Sequence, residues 1–157
     1  MFREMRRKRQ QMSDEEAREL LKNGKYLVLA VSGDDGYPYS VPLSYFYEDN
    51  AVYFHCARSG HKLDAIKANP KVSFCVVGDS QIVENKVTVF FSSVIAFGKA
   101  EILEGGEKFA ACRKLGDVLC PHRPDKVQED MDNNFSKVEM VKINIEHLTG
   151  KKAIELL

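Results

Sequence analysis

A chain of 157 residues, 44% of them hydrophobic, has the length and apolar content for one domain, residues 1–157, with its own core. Its 23 basic and 23 acidic residues cancel, which argues against a nucleic-acid surface, although a local excess of charge sits at Arg3, Arg6, Arg7, Lys8 and Arg9. The four cysteines (Cys56, Cys75, Cys112, Cys120) include no Cys-x-x-Cys pair and read as reduced thiols; with no secretory pattern and no apolar run near the ~20 residues of a membrane helix, the expectation is a cytoplasmic protein that crosses no membrane.

The basic arm, residues 1–12, reads on charge alone as a solvated, frayed terminus. Ser13-Asp14-Glu15-Glu16 has the spacing of a capping box, and Ala17, Leu20 and Leu21 form one apolar face before Asn23-Gly24 stops the helix. Lys25 to Ser32 predicts a strand too continuously apolar for a solvated face, and Asp34-Asp35-Gly36 predicts a hairpin turn. The returning strand, Tyr37 to Tyr47, carries Pro38 and Pro42. Proline donates nothing to a ladder, so mid-strand Pro42 marks an ordinary edge or a break that leaves backbone groups free.

After the turn Glu48-Asp49-Asn50, a strand over Ala51–Cys56 breaks at Arg58-Ser59-Gly60 and resumes as a short helix with Leu63, Ala65 and Ile66 as apolar positions, ended by Asn69-Pro70. A helix N-terminus favours an anion, and Arg58, His61 and Lys62 add donors, so the turn reads as a phosphate seat or as a plain helix start with solvated charges. Further strands are expected at Lys71–Val77, at Val87–Leu103 with a bend near Gly98 or Ser92-Ser93, and at Val138–Ile145. Gly78–Lys86 reads as a loop and Leu148–Lys151 as a turn. A helix from Gly105-Gly106 carries Phe109, Cys112, Leu115 and Leu119 and stops at Pro121 and Pro124; Asp125–Phe135 is a shorter helix or an irregular segment. Six strands with flanking helices predict a mainly-β α+β fold, an antiparallel sheet curled into a barrel.

Among sites with chemistry, His55, His61, His122 and Cys56 lack zinc-site spacing, so no metal is expected. Gly-x-Ser-x-Gly, Walker and dinucleotide fingerprints are absent.

Several segments, taken together and in order, resemble the FMN-binding split-barrel superfamily typified by pyridoxamine 5'-phosphate oxidase, and its nitroimidazole-resistance branch. They are Met5–Lys8, Tyr39-Ser40-Val41-Pro42-Leu43-Ser44-Tyr45, Val52–Ala57 with Gly60-His61-Lys62-Leu63, and Ser92-Ser93-Val94-Ile95-Ala96-Phe97-Gly98-Lys99-Ala100. The resemblance implies a six-stranded antiparallel split β-barrel that forms a homodimer with FMN at the interface. It places the phosphate at Arg58, Ser59, Gly60, His61 and Lys62, and the ring along Val41, Pro42, Leu43 and Ser44. His55, Cys56 and Ala57 then lie beside the flavin, with Ser92 and Ser93 contributed by the partner subunit.

The same resemblance makes residues 1–12 a family signature rather than a frayed end, and His55 the candidate catalytic residue. The implied activity is reduction of a small acceptor, a nitroaromatic being one candidate, with NAD(P)H as donor; a flavin- or haem-binding carrier is the alternative. No match to the substrate-binding basic residues of pyridoxamine 5'-phosphate oxidase is present, which disfavours vitamin B6 oxidation.

Overall fold

The computed structural model describes residues 1–156. In chain order the elements are α1 (Asp14–Asn23), β1 (Tyr26–Ser32), β2 (Pro38–Ser44), β3 (Phe46–Glu48), β4 (Ala51–Ala57), α2 (His61–Ala68), β5 (Lys71–Val83), β6 (Thr88–Leu103), α3 (Gly105–Leu119), α4 (Pro124–Asn134) and β7 (Val138–Lys152). The strands form one antiparallel sheet of seven in the order β2-β1-β5-β6-β7-β4-β3.

Seven strands stand where six are expected, because the segment after the first hairpin divides at Tyr45. Its first part pairs with β1 and its second with β4. The hydrogen-bonded ladder is therefore not closed; its two ends are consecutive pieces of chain joined through one residue. Tyr45 is buried, and its hydroxyl donates to the carbonyl of Leu21 in α1. Pro42 lies on β2 opposite Val28, at the end of the sheet order where a missing donor costs no second ladder.

Local signals hold where they are strongest. Ser13 accepts from the Glu16 amide while Glu16 accepts from the Ser13 amide, completing the capping box. The Asp34–Gly36 turn joins β1 to β2, with Asp35 and Gly36 at positive φ. Pro124 occupies the first turn of α4, where it starts a helix rather than ending α3.

Other expectations give way to pairing and packing. Residues 78–83, expected as loop, continue β5: Gly78 and Asp79 form an irregularity between Val77 and Ser80, and Ser80–Val83 pair with Thr88–Phe91. Leu148–Lys151, expected as a turn, pairs with Ser93–Ala96 of β6. At Phe97/Gly98, near the expected bend, the register of β6 against β7 shifts, the extra residue being Glu146 of β7. Helix α3 buries Ala111 and Leu115 with Phe46, Leu103 and Met140, whereas Phe109 and Leu119 are exposed.

The barrel interior holds Leu27, Leu29 and Val31 from β1, Val52, Phe54 and Cys56 from β4, Val72, Phe74 and Val76 from β5, and Val141, Ile143 and Ile145 from β7, with Leu63, Ala65 and Ile66 of α2. The β1 side chains between these, Val28 and Ala30, face outward and are half-buried. Its continuous apolarity therefore reflects an apolar outer face, not burial on both sides. That face continues through Val77, Ile95 and Phe97, all exposed. The N-terminal arm is not frayed along its whole length: the Met12 amide donates to the Gly150 carbonyl at 2.8 Å, and the Phe2 ring stacks on His147 at 4.9 Å. Among the described residues no helix is long and apolar enough to cross a membrane.

Candidate functional site

Strand β4 runs into Arg58-Ser59-Gly60, and α2 starts at His61. Gly60 has φ 141°, a conformation a side chain would strain, and it offers the helix no side-chain cap. The first backbone N–H groups of α2, those of His61, Lys62 and Leu63, precede the first helical bond, from the Asp64 amide to the Gly60 carbonyl at 3.1 Å. Among the described residues these amides have no acceptor. Lys62 is half-buried in the first turn of the helix and enters no ion pair among the described residues. Its charge reaches the Cys56 thiol, whose pKa burial raises and Lys62 partly restores.

The other two basic residues of the turn have protein partners. Arg58 Nε lies 3.4 Å from Glu139 Oε1, and its Nη1 donates to the Ser136 carbonyl at 3.3 Å, drawing the guanidinium toward the start of β7. The His61 ring packs on Tyr39 of β2 with centroids 4.3 Å apart, and its Nε2 is 3.8 Å from Asp34. His61 thereby fastens the helix start to the β1–β2 hairpin and brings the turn at residues 58–60 beside β2. Lys62 and the turn amides are the donors left open to a ligand.

On β2, Val41 and Leu43 pack against the core while Pro42 and Ser44 are exposed. The strand has one ladder neighbour, β1, so peptide groups on its other edge lack a strand partner. Across the outer face, Pro42 aligns with Val28, Val28 with Cys75, Cys75 with Ile95, and Ile95 with Thr149. Ser93 sits one row further along, opposite Val77 and Lys151. Three strand spacings separate β2 from β6, about 14 Å. Ser93 of the same chain therefore does not share a ring-sized site with Pro42. Ser92 faces the other way: its Oγ lies where a side chain on Gly78 would be, beside Leu20 of α1. The serine pair is split between two faces of β6.

His55 also departs from the turn. Phe54 and Cys56 point into the barrel, so His55, between them, projects outward. It lines a cleft of about 450 Å³ between α3 and α4, together with Cys112, Leu115, Val127, Met131 and Phe135. Sequence reasoning missed this cleft. The spacing of Val127 and Met131, both buried on one face of α4, is the signal that points to it. Among the described residues no three His, Cys, Asp or Glu side chains group as metal ligands would.

The family model described as pyridoxamine 5'-phosphate oxidase matches residues 13–152. Solved structures share the fold. A candidate 5-nitroimidazole antibiotic resistance protein from Bacteroides thetaiotaomicron is 19% identical at a TM-score of 0.69, covering 90% of this chain and 85% of its own. An FAD-binding protein from Mesorhizobium loti is 25% identical at 0.66, covering 91% and 96%. An FAD- and haem-binding protein from Mycobacterium smegmatis is 16% identical at 0.79, covering 92% and 73%. No curated protein matches the chain.

Proposed function

This chain belongs to the pyridoxamine 5'-phosphate oxidase family, and we propose that within it the protein is an FMN-dependent oxidoreductase acting on a small acceptor, with a nitroaromatic as candidate and NADH or NADPH as electron donor. The observation that carries the reading is the uncapped start of α2, where Lys62 enters no ion pair among the described residues and His61 of the same turn packs on Tyr39 of β2. That donor set suits a phosphomonoester, the group by which FMN is held.

In this reading the amides of His61, Lys62 and Leu63, the Lys62 ammonium and the Ser59 hydroxyl hold the phosphate. Arg58 and His61 join only by leaving Glu139 and Asp34. The main chain of Val41–Ser44 offers its unpaired edge to the polar rim of the flavin, and Cys56 and Ala57 close the β4 side. Bound flavin supplies the redox chemistry, and the chain supplies binding, orientation and the exclusion of water. His55 positions the acceptor or passes it a proton.

A homodimer belongs to the proposal, because the outer face around Ile95, Phe97 and Val77 is apolar and exposed in one chain. Such a pairing brings the partner's β6 toward the β2 edge and makes Ser93, on the outer face, the serine available to the site. A second reading, a flavin or haem carrier without turnover, draws support from the neighbour described as binding FAD and haem. Mixing the protein with FMN and recording its visible spectrum, then adding NADH or NADPH without oxygen, tests the proposal and separates the two readings.

A further inference from the structure

The cleft between α3 and α4 has the size of a small-molecule site. Its walls are Leu115 and Leu119 of α3, Val127 and Met131 of α4, and Phe135 beyond it. Three sulfur atoms, those of Cys112, Cys120 and Met131, line it as well. Polarizable sulfur makes favourable contacts with the edges of aromatic rings, so an aromatic body suits this lining better than a saturated one.

The polar groups are few and unequal in availability. Lys126 is paired with Glu129 at 2.8 Å, and the one lining carboxylate, Asp130, accepts from Asn134 Nδ2 at 2.7 Å. His55 and Lys137 hold no hydrogen bond or ion pair among the described residues and remain as donors to an occupant. Burial raises the pKa of the Cys112 thiol, Lys108 lowers it less, and the thiol stays a neutral part of the wall.

We propose that this cleft is a binding site for a small aromatic carboxylate, its ring among Met131, Cys112 and Leu115 and its carboxylate on His55 and Lys137. The site shares His55 with the flavin reading but goes beyond it in the cleft and ligand it names, and flavin-free protein tests it apart from that reading. Benzoate is the probe, followed by the methyl NMR signals of the five methionines. The Met131 methyl should shift saturably with one equivalent bound. Benzamide, which lacks the charge, should bind roughly tenfold more weakly, as should benzoate to Lys137→Ala or His55→Gln. Leu119→Trp, at a half-exposed position on the wall, fills the cleft without touching the core and should reduce benzoate binding at least tenfold while FMN affinity holds. Absence of a saturable Met131 shift, or unchanged benzoate affinity in Leu119→Trp, overturns the site. Equal affinity for benzamide overturns its assignment to an acid.

Discussion

The Tyr45 hydroxyl donates to the main-chain carbonyl of Leu21, so the one residue joining β2 to β3 is tied to α1. The two free ends of the sheet meet at that residue, and this hydrogen bond fixes where the chain changes partner from β1 to β4. Tyr45→Phe leaves the Leu21 carbonyl unpaired in a buried position and should cost ~1–3 kcal/mol in urea unfolding.

The same phenol gives a pH dependence. Burial pushes its pKa well above the ordinary 10.0. Below pH 10 both folded and unfolded chains keep the proton, and its stabilising effect is fully present. Above that, the unfolded chain binds fewer protons than the folded one, so stability should fall as pH rises, by up to ~1.4 kcal/mol per pH unit for one group. Urea midpoints from pH 9 to 11 should show a drop that is shallower in Tyr45→Phe.

Gly60 should tolerate a side chain poorly although nothing crowds its Cβ position, because φ is 141°. Gly60→Ala should cost ~1–3 kcal/mol through backbone strain. Thermal unfolding reads the stability loss, and an FMN titration should show weaker binding as the turn amides move.

Lys62→Ala should weaken FMN binding by ~1.5–3 kcal/mol, the worth of one charge-assisted contact. Flavin fluorescence titration measures it. Arg58→Ala should weaken binding less, because Arg58 already pairs with Glu139 and Ser136. An Arg58 effect larger than that of Lys62 would reverse the assignment of donors.

Ile95→Asp places a charge in the middle of the apolar outer face. Light scattering should give a dimer for the native chain and a monomer for the variant. A native monomer at micromolar concentration would contradict the pairing.

What the sequence reveals here follows the range of the interaction concerned. The Ser13 capping box, the Asp34–Gly36 turn and the Gly60 helix start are set by neighbours a few residues away and are legible as spacing. Residues 78–83 are polar enough to read as loop, yet Phe91 and its neighbours across the hairpin supply ladder partners that composition does not reveal. Gly150 and Lys151 read as a turn and are held in β7 by Val94 and Ser93. The expected apolar stripe of α3 fails for a related reason: the sheet it covers meets Ala111 and Leu115, leaving Phe109 and Leu119 outside.

The candidate site divides in the same way. The turn at Gly60 and the edge position of Pro42 announce themselves locally, whereas the break in this segment falls at Tyr45, which no local signal marks. Ser92 and Ser93 form a pair in the sequence but lie on opposite faces of β6, as the alternation of a strand requires. His55 enters a cleft built by helices that begin some fifty residues later, and no spacing around it announces that wall.

The central claim is tested most directly by adding FMN to the purified protein, removing excess and recording the absorbance spectrum before and after anaerobic NADH or NADPH. The account predicts a retained flavin spectrum near one FMN per chain, bleached by at least one nicotinamide nucleotide and restored by a nitroaromatic acceptor. A colourless protein that retains no FMN would contradict it.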